Sequence, residues 1–137
     1  MSRTRSQSRE LAFKLIFSSE FNDYTMDETI FMAFECHDLE VDEFTKRLAD
    51  KTVEKLEEID PIIEKFAENW SKKRISKISV SILRLCIYEI LFEDNIPISV
   101  SINEAVELAK KYATDDDASF INGILGNMVR TLELEDK

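Results

Sequence analysis

VSILRLCIYEILF, residues 80–92, is the stretch of sequence that decides the fold class. Ten of its thirteen side chains are apolar, and a helix that is apolar on all sides lies at the centre of a domain. The competing interpretation is a buried strand, given the Ile and Val content. We favour the helix because the stretch exceeds the about 4–8 residues of a buried strand, and because Arg84 and Glu89 introduce no turn.

Arg84 and Glu89 are the two charged residues of this apolar stretch. They stand five positions apart, which is too far round a helix for an ideal ion pair. Because a buried charge needs a partner, we expect each of them to meet a polar group on another helix.

The residues before this stretch also show helical patterns. Apolar side chains at three- and four-residue spacings predict a helix over 5–21. Thr25 followed by Glu28 has the form of a capping box and predicts a helix through about Cys36. A third helix is predicted over 41–58 from its apolar face.

Polar signals mark the starts of three more helices. Asp60 as N-cap, with Pro61 at the first helical position, predicts a helix that ends near Trp70. The capping-box sequence SINE at 101–104 predicts a helix through about residue 112. The acidic residues 115–117, with a serine two positions later, predict the start of a last helix that ends near residue 132.

The composition agrees with an all-α protein of about seven helices. The chain has 137 residues, which suits a single domain over 1–137. Two Gly and two Pro leave little material for turns and argue against a many-stranded β fold, while 44% hydrophobic residues argue against disorder. The start of the chain lacks an apolar signal and no apolar run reaches the about 18 residues of a membrane span, so we expect a cytoplasmic protein.

The residue inventory offers little for catalysis, a metal or a cofactor. Cys36 and Cys86 lie in apolar runs and are expected to be reduced core thiols. The single histidine, His37, is expected to be exposed at a helix end, and it is too little for a zinc set or a catalytic triad. Gly123 and Gly126 fall in a helical pattern without a Walker lysine. We therefore expect a binding module rather than an enzyme.

The net charge of −10 conceals a segregated pattern. Residues 1–14 carry a net charge of +3 and residues 65–88 carry +5, whereas 15–64 carry −11 and 89–137 carry −7. A charged field falls off over about 10 Å at moderate salt, so an acidic total does not exclude local phosphate binding. Solvated lysines are the alternative interpretation of the basic residues at 72–77.

Four stretches carry a family resemblance. They are Arg9–Ala12 with Phe17, Ile82–Leu85 followed by Tyr88–Leu91 and then Ile96-Pro97, Ile102–Lys110, and Phe120–Leu125. Together they resemble the NusB family of bacterial transcription antitermination factors, and the resemblance covers nearly the whole chain, although about 22–70 carries little family signature. The resemblance implies two three-helix bundles plus an extra helix. It also implies binding of boxA RNA with the ribosomal protein NusE, and a complex with RNA polymerase that supports read-through of ribosomal RNA operons.

Two alternatives to this function stay open. One is a helical module that binds only protein, which the acidic segment 15–64 favours. The other is an RNA-binding accessory of ribosomal RNA modification, disfavoured because the chain has no methyltransferase domain. The family contains both monomers and dimers, and a dimer can cover the RNA surface, so the resemblance leaves a homodimer open.

The resemblance also assigns residues. Those implied to bind RNA are Arg3, Arg5, Arg9, Lys14, Lys110 and Phe120; those implied at the partner surface are Ser79, Glu89 and Asp116. Arginine suits phosphate oxygens, and an aromatic ring can stack on an unpaired base. The alternatives are a solvated terminus for the arginines, core packing for Phe120, a helix-end charge for Lys110 and cap material for Asp116. Some relatives have an acidic residue in place of Ser79, and residues 6–8 replace positions that are often basic.

Overall fold

The computed structural model describes residues 3–67 and 75–137, and these residues form seven α-helices and no strand. The helices are α1 (Arg5–Ser19), α2 (Met26–His37), α3 (Glu43–Glu54), α4 (Leu56–Phe66), α5 (Lys77–Phe92), α6 (Ile98–Tyr112) and α7 (Asp115–Thr131). The all-α prediction is confirmed. Lys72, Lys73 and Arg74 of the second basic segment, and the predicted helix end near Trp70, lie outside the described residues.

The apolar stretch at 80–92 forms most of α5, which lies at the centre of the fold. Helix α5 packs against α1, α3, α4, α6 and α7, and Leu83 and Ile87 on it are fully buried. The first three helices pack on one another, as do α5, α6 and α7, while α4 packs on α3, α5 and α7. The two three-helix groups and the extra helix are therefore present, and α4 is the extra helix.

Capping boxes fix the starts of three helices. The predicted capping box of Thr25 and Glu28 begins α2. A capping box of Thr4 and Gln7 begins α1, and Thr114 with Asp117 begins α7. Each cap satisfies backbone N–H groups that have no partner inside the helix, so these starts are set by local sequence.

The predicted capping box at 101–104 is wrong. Helix α6 begins at Ile98, directly after Pro97, without a side-chain cap. Ser101 lies inside the helix and is 1% exposed, where its hydroxyl donates a hydrogen bond to Glu89 Oε1 at 3.4 Å. Because the helix already begins upstream of Ser101, the backbone N–H groups that follow Ser101 bond to helix carbonyls and need no cap.

The predicted helix start at Asp60-Pro61 is also wrong. Helix α3 ends at Glu54 and α4 begins at Leu56, so Pro61 lies inside α4. The carboxylate of Asp60 accepts hydrogen bonds from Arg84 Nε and Nη2, both at 2.9 Å. Arg84 therefore uses the side chain that was predicted as a cap, and it also pairs with Glu20.

The thiols and the histidine agree in part with the predictions. Cys36 and Cys86 are both free. Cys86 is buried as predicted, whereas the prediction of a core thiol is wrong for Cys36, which is exposed and lines a groove between α1 and α2. His37 is exposed and ends α2. In the part of the chain that the structure describes, no helix is long and apolar enough to cross a membrane.

Candidate nucleic-acid interface

Three guanidinium groups surround the ring of Phe44. The Cζ atoms of Arg5, Arg47 and Arg9 lie 3.9, 5.3 and 5.7 Å from the ring centroid. Phe44 belongs to the first turn of α3, and it is buried under the start of α1. Cations at these distances are attracted by the ring face, so the ring gathers the arginines of two helices into one basic cluster, which we call the arginine cluster.

The exposed arginines of this region differ in their carboxylate partners. Arg3 Nη1 lies 3.3 Å from Asp42 Oδ1. Arg47 donates from Nη2 and Nε to Glu93 at 2.8 and 3.2 Å. Arg5 is exposed and makes no ion pair within residues 3–67 and 75–137. Its guanidinium edge is therefore open to an external anion while the ring of Phe44 supports its face.

Arg9 and Glu89 form a buried ion pair at the base of the cluster. Arg9 Nε donates to Glu89 Oε1 at 2.8 Å, and the side chains are 5% and 2% exposed. Burial raises the pKa of Glu89, and the neighbouring charge of Arg9 opposes that rise. Arg9 is therefore the polar partner expected for Glu89, and Asp60 is the partner expected for Arg84.

Asp42 fastens the start of α1 to the start of α3. Its carboxylate accepts hydrogen bonds from Ser8 Oγ at 2.9 Å, from Thr45 Oγ1 at 2.5 Å and from Thr45 N at 3.2 Å. Burial alone would raise the pKa of Asp42, but the hydrogen bonds from Thr45 and Ser8 outweigh it and hold the pKa at about 2. Asp42 is therefore a carboxylate in the folded protein at neutral pH.

A second basic group lies where α1 meets the end of α6. Lys111 Nζ donates to both carboxylate oxygens of Glu10 at 2.9 and 3.0 Å, and the Tyr112 hydroxyl donates to Glu10 at 2.5 Å. Lys14 Nζ lies 3.8 Å from the same carboxylate. Hydrogen bonds from Tyr112 and Lys111 outweigh the effect of burial and lower the pKa of Glu10. Two ammonium groups thus share one carboxylate.

Lys110 lies between two open grooves. One groove, of about 400 Å³, runs between α1 and α6 past Ser6 and Glu10. The other, of about 870 Å³, runs between α6 and α7 past Asn103 and Asn122. Lys110 is exposed, and its Nζ lies 3.6 Å from Glu107. A ligand that follows either groove meets this ammonium group.

Asp116 and Phe120 line a third groove, of about 510 Å³, beside Phe66 of α4. Asp116 is exposed in the first turn of α7. Phe120 is one turn further along and 5% exposed. The carboxylate therefore stands at the surface of the groove, and most of the ring lies beneath it.

Burial divides the nine predicted site residues into two groups. Arg3, Arg5, Lys14, Lys110 and Asp116 reach the surface, whereas Arg9, Ser79, Glu89 and Phe120 are buried. The hydroxyl of Ser79, for example, is inside the start of α5 and accepts a hydrogen bond from Ser76 Oγ at 3.1 Å. The structure brings Arg5 and Arg9 to the ring of Phe44 and pairs Arg3 with Asp42 at the start of α3. It sets Lys14 and Lys110 on the α1–α6 side.

Sequence reasoning missed Arg47, Phe44 and Lys111 as members of this region. Arg47 was hidden in a segment with a net charge of −11, and Phe44 was assigned to an apolar face alone. A signal was present, because residues three apart on a helix lie side by side and an aromatic–arginine pair at that spacing indicates a stacked cation.

Known proteins resemble this chain along most of its length. Residues 6–130 match the NusB family model. The chain belongs to the NusB family. A NusB named as a transcription antitermination protein in Ruminiclostridium cellulolyticum is 48% identical over 90% of this chain and 87% of that protein. The protein of the same name in Natranaerobius thermophilus is 45% identical over 94% of this chain and 96% of that protein.

Solved NusB structures share the fold. The T. maritima NusB structure has a TM-score of 0.78 and 35% identity, and the match covers 95% of this chain and 93% of that one. A crystal structure of the antitermination factors NusB and NusE in complex with double-stranded RNA has a TM-score of 0.81 and 28% identity, covering 96% of this chain and 99% of that one. NusB architecture therefore extends over nearly the whole chain.

Proposed function

We propose that this NusB-family chain is a transcription antitermination factor that binds boxA RNA together with NusE. The observation that carries the proposal is the likeness, along nearly the full chain, to relatives named transcription antitermination protein NusB. The solved complex of a NusB with NusE and RNA supports both partners. The factor acts as an adaptor without catalysis, in the cytoplasm, where it joins the RNA polymerase elongation complex and supports read-through of ribosomal RNA operons.

The exposed basic residues are the proposed RNA contacts. Arg5 presents a guanidinium edge without an ion pair in the described residues, and planar guanidinium groups bind phosphate oxygens in a bidentate manner. Arg3 lies beside it, and Lys14 and Lys110 extend the basic surface toward α6. Arg9 contributes to RNA binding indirectly, because its buried pair with Glu89 holds the start of α1 in place.

The proposed NusE surface includes Asp116, since an exposed carboxylate at the start of α7 suits a basic ribosomal protein. Ser79 and Glu89 are buried inside α5, so Asp116 is the proposed direct contact among the three. Phe120 supports the groove from beneath Asp116. The acidic body repels RNA that lacks a basic partner, which favours joint binding with NusE over binding of RNA alone.

The test compares short RNAs that contain boxA with scrambled RNAs of the same composition, each with and without NusE. We expect tight binding of boxA RNA with NusE and weaker binding of the scrambled RNA. Equal affinity for the two RNAs in the presence of NusE would exclude a sequence-specific function.

A helical protein-binding module is the second candidate function, favoured by the net charge of −11 over residues 15–64. A pull-down in which NusE binds tightly and RNA adds nothing would support it. A homodimer that covers the arginine cluster is a separate proposal. Light scattering tests it, since RNA should then shift the dimer to a monomer.

A further inference from the structure

The outward side of α2 carries two exposed phenylalanines. Phe31 is 62% exposed and Phe34 is 49% exposed, and residues three apart lie side by side on a helix. Helix α2 packs on the rest of the protein through other positions, which include Met26 and Ala33. The two rings therefore form an apolar surface that contributes little to the core, which we call the α2 face.

Acidic side chains of α2 stand next to the α2 face. Four acidic residues stand three or four positions from one of the rings, and all are exposed: Asp27, Glu28, Glu35 and Asp38. Lys46 of α3 lies 3.6 Å from Asp27. Within the described residues, the other three form no ion pair with a cation. The border is therefore strongly negative.

A separate groove lies along another flank of α2, and neither Phe31 nor Phe34 lines it. It has a volume of about 270 Å³ and runs between α1 and α2, with Leu11, Leu15 and the cationic Lys14 in its lining. Tyr24, Met32 and Leu39 stand at its edges and are 48%, 40% and 37% exposed. The apolar surface of the α2 face is therefore that of the two outward rings, outside this groove.

The acidic border of the α2 face favours some kinds of binding partner over others. Nucleic acid is disfavoured because its phosphates would face carboxylates. A second copy of the chain is disfavoured because a two-fold contact places the same acidic border against itself. A helix that carries apolar side chains bordered by Lys and Arg satisfies both features, and helices of this kind bind apolar grooves in many complexes. We propose that the α2 face is a docking site for a basic amphipathic helix of a partner protein.

The apolar part of the proposal is tested with a synthetic peptide of about 18 residues, with Leu at helical spacing and Lys at the other positions. Its binding to the full chain is measured by fluorescence anisotropy and located by amide chemical shifts. We expect shifts along α2 and a loss of affinity of about tenfold or more in the F31S/F34S variant. The matched control is V100S/L132S, which removes two exposed apolar residues elsewhere and should bind as the wild type does.

The charge part is tested with E35Q/D38N, which keeps the shape of the border. Asp38 has φ of 53°, a conformation that Asn also adopts readily, so the end of α2 should be retained. We expect weaker binding and a smaller dependence of affinity on salt. The control E57Q/E64Q removes two exposed charges from α4 and should leave both nearly unchanged.

Three results would overturn the proposal. The first is equal peptide affinity of F31S/F34S and the wild type, and the second is equal binding of a peptide with Glu in place of each Lys. The third is a wild-type dimer in light scattering that F31S/F34S abolishes, which would assign the α2 face to a second copy. Binding of boxA RNA with NusE by F31S/F34S is measured in parallel. We expect it to be unchanged, so failure here is distinct from failure of the proposed function.

Discussion

Arg9 on α1 and Glu89 on α5 meet at 2.8 Å inside the protein, with side chains 5% and 2% exposed. Arg9 also lies 5.7 Å from the ring of Phe44, around which the exposed arginines gather. The central helix therefore holds the start of α1 by a charge contact as well as by packing. The pair of Arg9 and Glu89 positions the basic surface although the pair itself is almost inaccessible to water.

Loss of one partner of this pair should destabilise the protein strongly. Arg9→Met leaves the carboxylate of Glu89 buried without its cation, and we expect the free energy of unfolding to fall by about 3–5 kcal/mol. The double variant Arg9→Met with Glu89→Leu should recover most of that loss, because an apolar pair of similar volume replaces the two charges. Urea unfolding measures both. A cost of under about 1 kcal/mol for Arg9→Met would mean that water reaches the pair in solution.

Arg5→Ala should affect RNA rather than stability. The side chain is exposed and without an ion pair in the described residues, so its contribution to folding is limited to a ring contact of about 0.5–1 kcal/mol. In titrations of boxA RNA with NusE, we expect weaker binding and a salt dependence, as log affinity against log salt, reduced by about 0.7. Arg130→Ala, at the end of α7, is the control. An unchanged slope would remove Arg5 from the RNA surface.

Acid should weaken the joint between α1 and α3. The pKa of Asp42 is held at about 2, below the ordinary value of 3.8. A lowered pKa in the folded state stabilises the protein above the unfolded value, and that stabilisation is lost as pH falls from about 4 to about 2. Since about a third of the side chain is exposed, we expect a loss of only about 1 kcal/mol.

The Asp42→Asn variant isolates this effect. Its free energy of unfolding should be lower than that of the wild type at pH 6, and the difference should shrink toward pH 2. Urea unfolding between these pH values measures it. A difference that does not vary with pH would assign the stabilisation to a group other than the Asp42 carboxylate.

Pro61→Ala should stabilise the protein. Pro61 lies inside α4, has no N–H group for the helix and is exposed. Proline is about 3 kcal/mol less favourable than Ala in a helix interior, but it also restricts the unfolded chain. We expect a net gain of about 1 kcal/mol and a rise in Tm of a few degrees. A fall in Tm would show that the α4 backbone depends on the proline ring.

Substitutions of Phe120 distinguish a role in core packing from direct contact with RNA. Because the ring is 5% exposed, Phe120→Ala should cost about 3–5 kcal/mol. Phe120→Leu should cost less than about 1.5 kcal/mol and leave the affinity for boxA RNA with NusE unchanged. If Phe120→Leu folds normally but loses RNA affinity, the ring contacts RNA directly.

Local sequence predicts the parts of this fold that depend on neighbouring residues. The central helix follows from the apolar run at 80–92, and the start of α2 follows from Thr25 and Glu28. Ser101 and Asp60 have the same local appearance as caps, but distant charged residues bind their side chains. A capping pattern cannot reveal a partner that only the tertiary structure brings near.

The candidate site shows the same division. The arginine-rich start predicts a basic surface, but Arg5 and Arg9 stand one turn apart on the same helix and one is exposed while the other is buried. The buried Arg9 pairs with Glu89, which lies 80 positions from it in the chain. Arg47 joins the cluster because α3 packs beside α1, and charge counts along the sequence cannot show that.

Because Arg9 and Glu89 are far apart along the chain, the ribosome adds them at different times. At about 5–20 residues per second, the ribosome adds Glu89 about 4–16 seconds after Arg9. Throughout that interval the nascent α1 has its cation but not the carboxylate that positions it. The proposed RNA surface is therefore completed only when α5 has been made, although Arg5 and Arg9 of α1 are made well before it.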